Sequence, residues 1–325
     1  MRRVMNRNVA ILLLSLLVCA AGAEAFLRSR AAKEREHIRT TMDARELCTE
    51  RSSDPRLLYT YTPGACGANS RGYRDVEHSL EKPDSVFRLV LIGDSVAEGR
   101  DVDPDSAFGR VLERELNARG DGRRYEVILL ARIGYSTSQE IVLLENEAFQ
   151  YHPDLILWGY CLNDPAHPVY HNANGDLGRY YDRPRSYLIA RFDHAAFRVK
   201  QKLRAGYHCP SEFHAFAHCA YWREVKANLA HIGQVALRQR VPVVFIIEPV
   251  FEENKTFDDY SLRDVHAKLG EAARTNGFDV VDLLDAFRAY PPAELKLDNS
   301  NYFDPWHFNA RGHRVAADAI EPHIP

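Results

Sequence analysis

Five residues in this chain of 325 have the types and the order needed for nucleophilic attack on a carbonyl: Ser95, Gly134, Asn163, Asp304 and His307. A serine hydroxyl is a weak nucleophile until a neutral imidazole takes its proton. His307 can be that base. Asp304 lies three residues earlier, so one tight turn would bring its carboxylate to the other imidazole nitrogen, fixing the tautomer and stabilising the imidazolium. The tetrahedral oxyanion needs fixed donors, and the candidates are the N–H of Ser95, the N–H of Gly134 and the side-chain amide of Asn163. Losing one such donor costs about 3–4 kcal/mol of transition-state stabilisation. Asp298 and Asp285 compete with Asp304 for the orienting role, but neither has the short tether to His307.

These residues act together only if the chain carries them to one edge. Val86–Gly93 (VFRLVLIG) is a near-continuous apolar run, the mark of a strand covered on both faces. A helix capped by Ser106 is expected to about Asn117, with Phe108, Val111, Leu112 and Leu116 at helical spacing. The alternation continues with strands at Tyr125–Ala131, Asp154–Gly159, Val241–Glu248 and Phe278–Leu284. Helices are expected at Thr137–Tyr151, Trp222–Gln239, Tyr260–Asn276 and Ala310–Ile320. Five strands alternating with helices predict one doubly wound parallel α/β sheet. Residues 165–221 break the rhythm and read as an inserted lid, too long for an ordinary connection. Ligands of an open parallel sheet bind beyond the carboxyl ends of its strands. Gly93-Asp94-Ser95, Ile133-Gly134-Tyr135 and Leu162-Asn163-Asp164 each follow a predicted strand, and Asp304–His307 precedes the last helix. Singly, Ser95 could be a helix cap and Gly134 and Asn163 turn residues; their order after consecutive strands favours the chemical reading. Asp94 reads as a structural hydrogen-bonding residue and His313 as a surface or helix-face residue.

Four blocks, Leu91–Gly99 (LIGDSVAEG), Ala131–Gln139 (ARIGYSTSQ), Gly159–Pro165 (GYCLNDP) and Asp304–Ala310 (DPWHFNA), resemble those of the SGNH/GDSL hydrolase superfamily of esterases and acyl-hydrolases. The resemblance spans residues 86–325, with the insertion unmatched. It implies a three-layer α/β/α fold of flavodoxin-like topology, an acyl-enzyme on Ser95, a base at His307 oriented by Asp304, an oxyanion hole of Ser95, Gly134 and Asn163, and no metal or other cofactor. Two positions depart from the pattern: Val96 replaces the Leu of GDSL, and Cys161 stands where a Gly usually precedes the Asn by two. Asn69-Ser70-Arg71-Gly72-Tyr73-Arg74 resembles exported, membrane-anchored bacterial members linked to envelope and exopolysaccharide chemistry. This implies a carbohydrate or small-molecule ester, with O-acetyl groups on an envelope carbohydrate as the expected substrate class. An O-acyltransferase using the same triad, or a carbohydrate-binding protein that has lost catalysis, shares these residues.

The formal charge of −3, from 42 Lys+Arg against 45 Asp+Glu, argues against nucleic-acid binding. Arg2, Arg3 and Arg7 precede an apolar run over Val9–Ala23, and Arg28 and Arg30 follow it. This is the pattern of a signal peptide or, extended to Leu27, of an N-terminal anchor in the inner membrane with the domain outside the cytoplasm. Residues 1–30 are therefore expected to be signal or anchor, 31–85 a stalk and irregular linker, and 86–325 the catalytic domain. In an oxidising compartment Cys48/Cys66 and Cys209/Cys219 could each close a local loop. His208, Cys209, His214, His218 and Cys219 also invite a zinc reading, the two last histidines falling at i and i+4. Tyr180, Tyr181, Tyr187, Phe192 and Phe197 read either as an acyl or sugar site or as the small core of the lid.

Overall fold

The computed structural model describes residues 2–42, 46–165, 175–205, 209–253, 255–298 and 303–325. It opens with helix α1 (Arg2–Thr41), which contains the apolar run and is, among the described residues, the one helix long and apolar enough to cross a membrane. Its far end reaches the protein core, where Ile38 is buried. A small antiparallel hairpin follows, β1 (Thr49–Arg51) with β2 (Tyr59–Tyr61).

The main body is the predicted alternation. In chain order it runs β3 (Val86–Gly93), α2 (Ser95–Glu98), α3 (Phe108–Ala118), β4 (Arg124–Ala131), α4 (Thr137–Asn146) and β5 (Leu155–Cys161). The insertion then contributes α5 (Gly175–Tyr181), α6 (Tyr187–Ala205) and α7 (Phe213–Ala220). The sheet resumes with α8 (Trp222–Gln239), β6 (Val243–Glu248), α9 (Arg263–Thr275), β7 (Asp279–Asp282), α10 (Leu283–Phe287), α11 (Pro292–Leu295) and α12 (Ala310–Ile320). The five strands are parallel in the order β4-β3-β5-β6-β7, the flavodoxin-like order. Every residue of β5 and of β6 is buried, which explains why those strands read as unbroken apolar runs. Helices α3 and α12 pack together on one face, and α4 meets α8, which meets α9. Right-handed crossovers in opposite directions from β3 put these groups on opposite faces.

Several boundaries differ from expectation. The helix expected from Ser106 starts at Phe108, because Asp103 caps a 3₁₀ turn over Pro104–Ser106 instead. The segment Phe278–Leu284 splits: Asp282 accepts a hydrogen bond from the N–H of Leu284 and turns the chain from β7 into α10. Residues 31–85, expected as a stalk and irregular linker, also contribute side chains to the core. Tyr59 (1% exposed), Tyr61 and Tyr73 are core residues. The Tyr59 hydroxyl donates to the Ile133 carbonyl at 2.7 Å, and the Tyr135 hydroxyl donates to the Tyr59 carbonyl at 2.5 Å. A disulfide joins Cys48 to Cys66 and another joins Cys209 to Cys219; Cys161 is free and buried.

Candidate active site

Ser95 stands at the turn from β3 into α2. Asp94 caps that helix, its Oδ1 accepting from the N–H of Val96 at 2.8 Å. The turn is too tight for a side chain at Gly93, where a Cβ would lie 2.6 Å from the Cβ of Ala97 and 3.3 Å from the carbonyl of Gly159. Since α2 is a single turn, its dipole is slight, and donors for an oxyanion must come largely from neighbouring loops.

The loop before α12 brings the candidate base. His307 Nε2 lies 2.8 Å from Ser95 Oγ, and His307 Nδ1 lies 2.7 Å from Asp304 Oδ2. With the Ser95 hydroxyl donating to Nε2, the ring proton belongs on Nδ1, facing the carboxylate. The other Asp304 oxygen accepts from the N–H of Trp306 (3.0 Å) and of His307 (3.1 Å), so a three-residue turn fixes acid and base as one unit. Burial raises the Asp304 pKa, but the hydrogen bond and charge of His307 and the two backbone N–H groups outweigh it and hold the carboxyl at about 2. Among the described residues the carboxylate bonded to His307 is Asp304, not Asp285 or Asp298.

Gly134 and Asn163 flank this relay. The register pairs Gly93 with Ala131 of β4 and Ile92 with Trp158 of β5, so the loops after all three strands leave one edge side by side. Gly134 has φ +70°, a left-handed conformation that a side chain disfavours. Its loop is held from both sides: the Ile133 N–H donates to Glu98 Oε2 at 2.8 Å, and the Ile133 carbonyl accepts from Tyr59. The turn carrying Asn163 is closed reciprocally, the Asp164 N–H donating to the Cys161 carbonyl (2.9 Å) and the Cys161 N–H to Asp164 Oδ2 (3.2 Å). The side chain of Asn163 lies near the Asp94 carboxylate and helps to lower its pKa against the effect of burial, and its amide nitrogen can donate to an acceptor.

Beneath Ser95 lies a floor of acids that the sequence reading missed. Asp94, Glu140, Asp164 and Glu248 are each 2% exposed or less. Burial pushes all four pKa values up and each charge opposes the others; Asp94 rises to about 6. Both carboxyl oxygens of Glu140 and of Glu248 are buried without a hydrogen-bond partner. Cys161 lies among them, its thiol pushed up by burial and then by Asp94 and Glu248. Two residues earlier the strand has no room for a side chain: a Cβ at Gly159 would sit 2.8 Å from Glu248 Oε1. A signal existed in the sequence at Glu248, which interrupts an otherwise apolar stretch (VVFIIEPVF), whereas Glu140 only borders one (EIVLL). Glu98, equally buried, is satisfied, accepting from the Tyr61 hydroxyl and the Ile133 N–H.

The insertion meets the site through α7. His214 Nε2 accepts from the Trp306 indole N–H at 3.2 Å, while its Nδ1 meets Glu212 Oε1 at 2.9 Å. One turn later His218 Nε2 lies 3.1 Å from the Tyr160 hydroxyl. The i, i+4 histidines thus dock the lid rather than pair with Cys209 and Cys219, which are bonded to each other; His208 lies outside the described residues. Of the insertion's aromatics, Tyr181 stacks on Tyr59 in the main core, Phe197 stacks on Tyr221 in a small separate cluster, and Phe192 is exposed. His313 is not on the surface. It is 1% exposed and stacks on Phe108 in the seam between α3 and α12, and burial, then the nearby charge of His307, pushes its pKa down to about 3.

Known proteins resemble this chain in sequence pattern and in fold. A family model described as GDSL-like lipase/acylhydrolase matches residues 91–315. Among solved structures, an acetyl xylan esterase is 16% identical, with 73% of this chain and 100% of that one covered and a TM-score of 0.47. A lipase/acylhydrolase from Enterococcus faecalis is 17% identical over 73% and 94%, with a TM-score of 0.45. A variant of an acetyl xylan esterase from Geobacillus stearothermophilus is 15% identical over 72% and 92%, with a TM-score of 0.46. No curated protein matches this chain.

Proposed function

This chain belongs to the GDSL-like lipase/acylhydrolase family and is an ester-hydrolysing enzyme, and from that premise we propose that it cleaves short O-acyl esters through an acyl-enzyme on Ser95. The observation that carries the reading is the continuous relay Ser95–His307–Asp304, at 2.8 and 2.7 Å. Ser95 Oγ attacks the ester carbonyl as His307 Nε2 takes its proton. The oxyanion is met by the N–H of Ser95, the N–H of Gly134 and the amide of Asn163. Collapse breaks the C–O bond, and His307 returns the proton to the departing alcohol. Water, deprotonated by the same imidazole, then attacks the acyl-enzyme and releases the acid.

A short acyl group suits the access, because Ser95 is 6% exposed and His307 5%. The setting follows from the chain start. The basic flank and exposed apolar face of α1 suit an inner-membrane anchor with the domain on the outer side. O-acyl groups on an envelope carbohydrate are the substrate class this location offers. A fluorophosphonate probe followed by peptide mass mapping tests the nucleophile: one adduct on the peptide holding Ser95, absent in Ser95→Ala, is expected. Labelling of Ser95→Ala equal to wild type overturns the assignment.

A further inference from the structure

The insertion carries a feature that catalysis does not use. Helix α6 exposes Ile189 (61%), Phe192 (67%), Val199 (57%) and Leu203 (79%). With Ala196, at 100° per residue, they fall within an arc of roughly 80°, a continuous apolar stripe along the helix. Basic residues border it, Arg191, Arg198 and Lys202 on one side and Lys200 on the other, against one acid, Asp193. The opposite face of α6 is partly covered. Tyr187, Ala190 and His194 line a cleft against Leu27–Arg35 of α1, and Phe197 stacks on Tyr221 at 5.9 Å.

The start of α6 is fixed to α1 at one level. Both oxygens of the Glu24 carboxylate serve as its cap, accepting from the Ser186 hydroxyl (2.9 Å), the Tyr187 N–H (3.1 Å) and the Leu188 N–H (2.8 Å). Arg28 donates to the Arg185 carbonyl, and Arg35 to the Tyr187 hydroxyl at 2.9 Å. Glu24 is the residue that follows the apolar run Val9–Ala23. A bilayer that holds that run ends where α6 begins.

We propose that α6 is an interfacial helix whose stripe of Ile189, Phe192, Val199 and Leu203 lies in the outer headgroup layer of an anionic bilayer, the same bilayer that holds α1. This rests on the anchor reading of α1. An amphipathic helix with apolar residues on one face and bordering Lys and Arg is the form that binds such a surface, the apolar side chains entering the acyl boundary and the cations meeting anionic headgroups. With α1 and α6 both engaged, the domain has one fixed orientation toward the membrane, and α7, which follows α6 and docks on Trp306 and Tyr160, ties the active-site rim to that orientation.

The test uses the full chain in a Cys19→Ser background, reconstituted in phosphatidylglycerol/phosphatidylcholine bilayers. Nitroxide labels are placed singly at Phe192→Cys, Val199→Cys, Asp193→Cys and Leu13→Cys. Accessibility to molecular oxygen and to a water-soluble nickel chelate is measured at each, and hydrolysis of a soluble ester verifies the fold. The expected result is oxygen-dominated relaxation at positions 192 and 199, nickel-dominated at 193, and a drop at 192 and 199 when phosphatidylglycerol is omitted. Nickel-dominated relaxation at 192 and 199 with Leu13→Cys still lipid-embedded overturns the proposal and leaves the anchor standing. A nickel-accessible Leu13→Cys overturns the anchor reading itself. Shielding of position 192 from both reagents with dipolar broadening between labels assigns the stripe to a second copy and also overturns the proposal.

Discussion

Two buried aspartates flank the Ser95 hydroxyl and their surroundings drive them in opposite directions. Asp304 faces an imidazole and two backbone N–H groups, and its carboxyl is held at about 2. Asp94 backs onto Glu140, Asp164 and Glu248 and is pushed up to about 6. The first region is fully satisfied and holds a charge ready to stabilise an imidazolium. The second favours protonated acids, because burial opposes ionisation of all four and they cannot all carry charge together in a low-dielectric floor. Proximity to Ser95 therefore does not decide whether an acid is charged; the donors aimed at it do.

Substitutions separate the two regions. The largest effect is expected on the relay, where Ser95→Ala or His307→Ala lowers kcat on a short p-nitrophenyl ester by roughly 10⁴-fold or more while the far-ultraviolet circular dichroism is unchanged. Next, Asp304→Ala leaves more residual rate than either, since the base survives with its tautomer unfixed; a rate equal to wild type would erase the distinction between the two aspartates. Asn163→Ala comes third, with a loss of about 10²–10³ in kcat and little change in KM, the signature of a donor used in the transition state. The smallest catalytic effect falls on the floor. Glu248→Gln keeps most activity and gains stability above neutral pH, on the order of 1 kcal/mol by denaturant titration, because an amide carries no charge to bury.

The floor also sets a pH dependence. A carboxyl whose folded pKa is raised binds its proton more tightly when folded, so its contribution is complete below the unfolded value and is lost as pH rises through the folded one. For Asp94 that window runs from 3.8 to about 6. Asp304 works in the opposite sense, its contribution present above 3.8 and lost as pH falls through about 2. Stability measured from pH 4 to 8 should therefore fall as pH rises, and Glu248→Gln should flatten the decline that continues above pH 6.

The sheet and the relay were legible because both follow simple periodicities. Buried parallel strands are unbroken apolar runs, as at Val86–Gly93, and a three-residue tether joins Asp304 to His307. The hairpin β1/β2 was hidden because strands of three residues are too short to show alternation, and its anchoring rests on tyrosine hydroxyls reaching the distant Ile133 loop. His313 was misjudged because its helix packs on two sides, against Phe108 and Phe308. The acid floor escaped notice for a different reason: Glu140 on α4 and Glu248 on β6 come from elements far apart in sequence, and only the folded packing of helix on sheet brings them near Asp94. The lid's histidines had partners, Trp306 and Tyr160, that no spacing rule could supply.

The account stands on a covalent bond between substrate acyl carbon and Ser95 Oγ. Rapid-quench mass spectrometry during turnover of p-nitrophenyl acetate observes it: an acetylated protein should accumulate at the rate of the nitrophenol burst, with the acetyl group on the peptide containing Ser95. Turnover with no acylated species, or with the acetyl group on another residue, would contradict it.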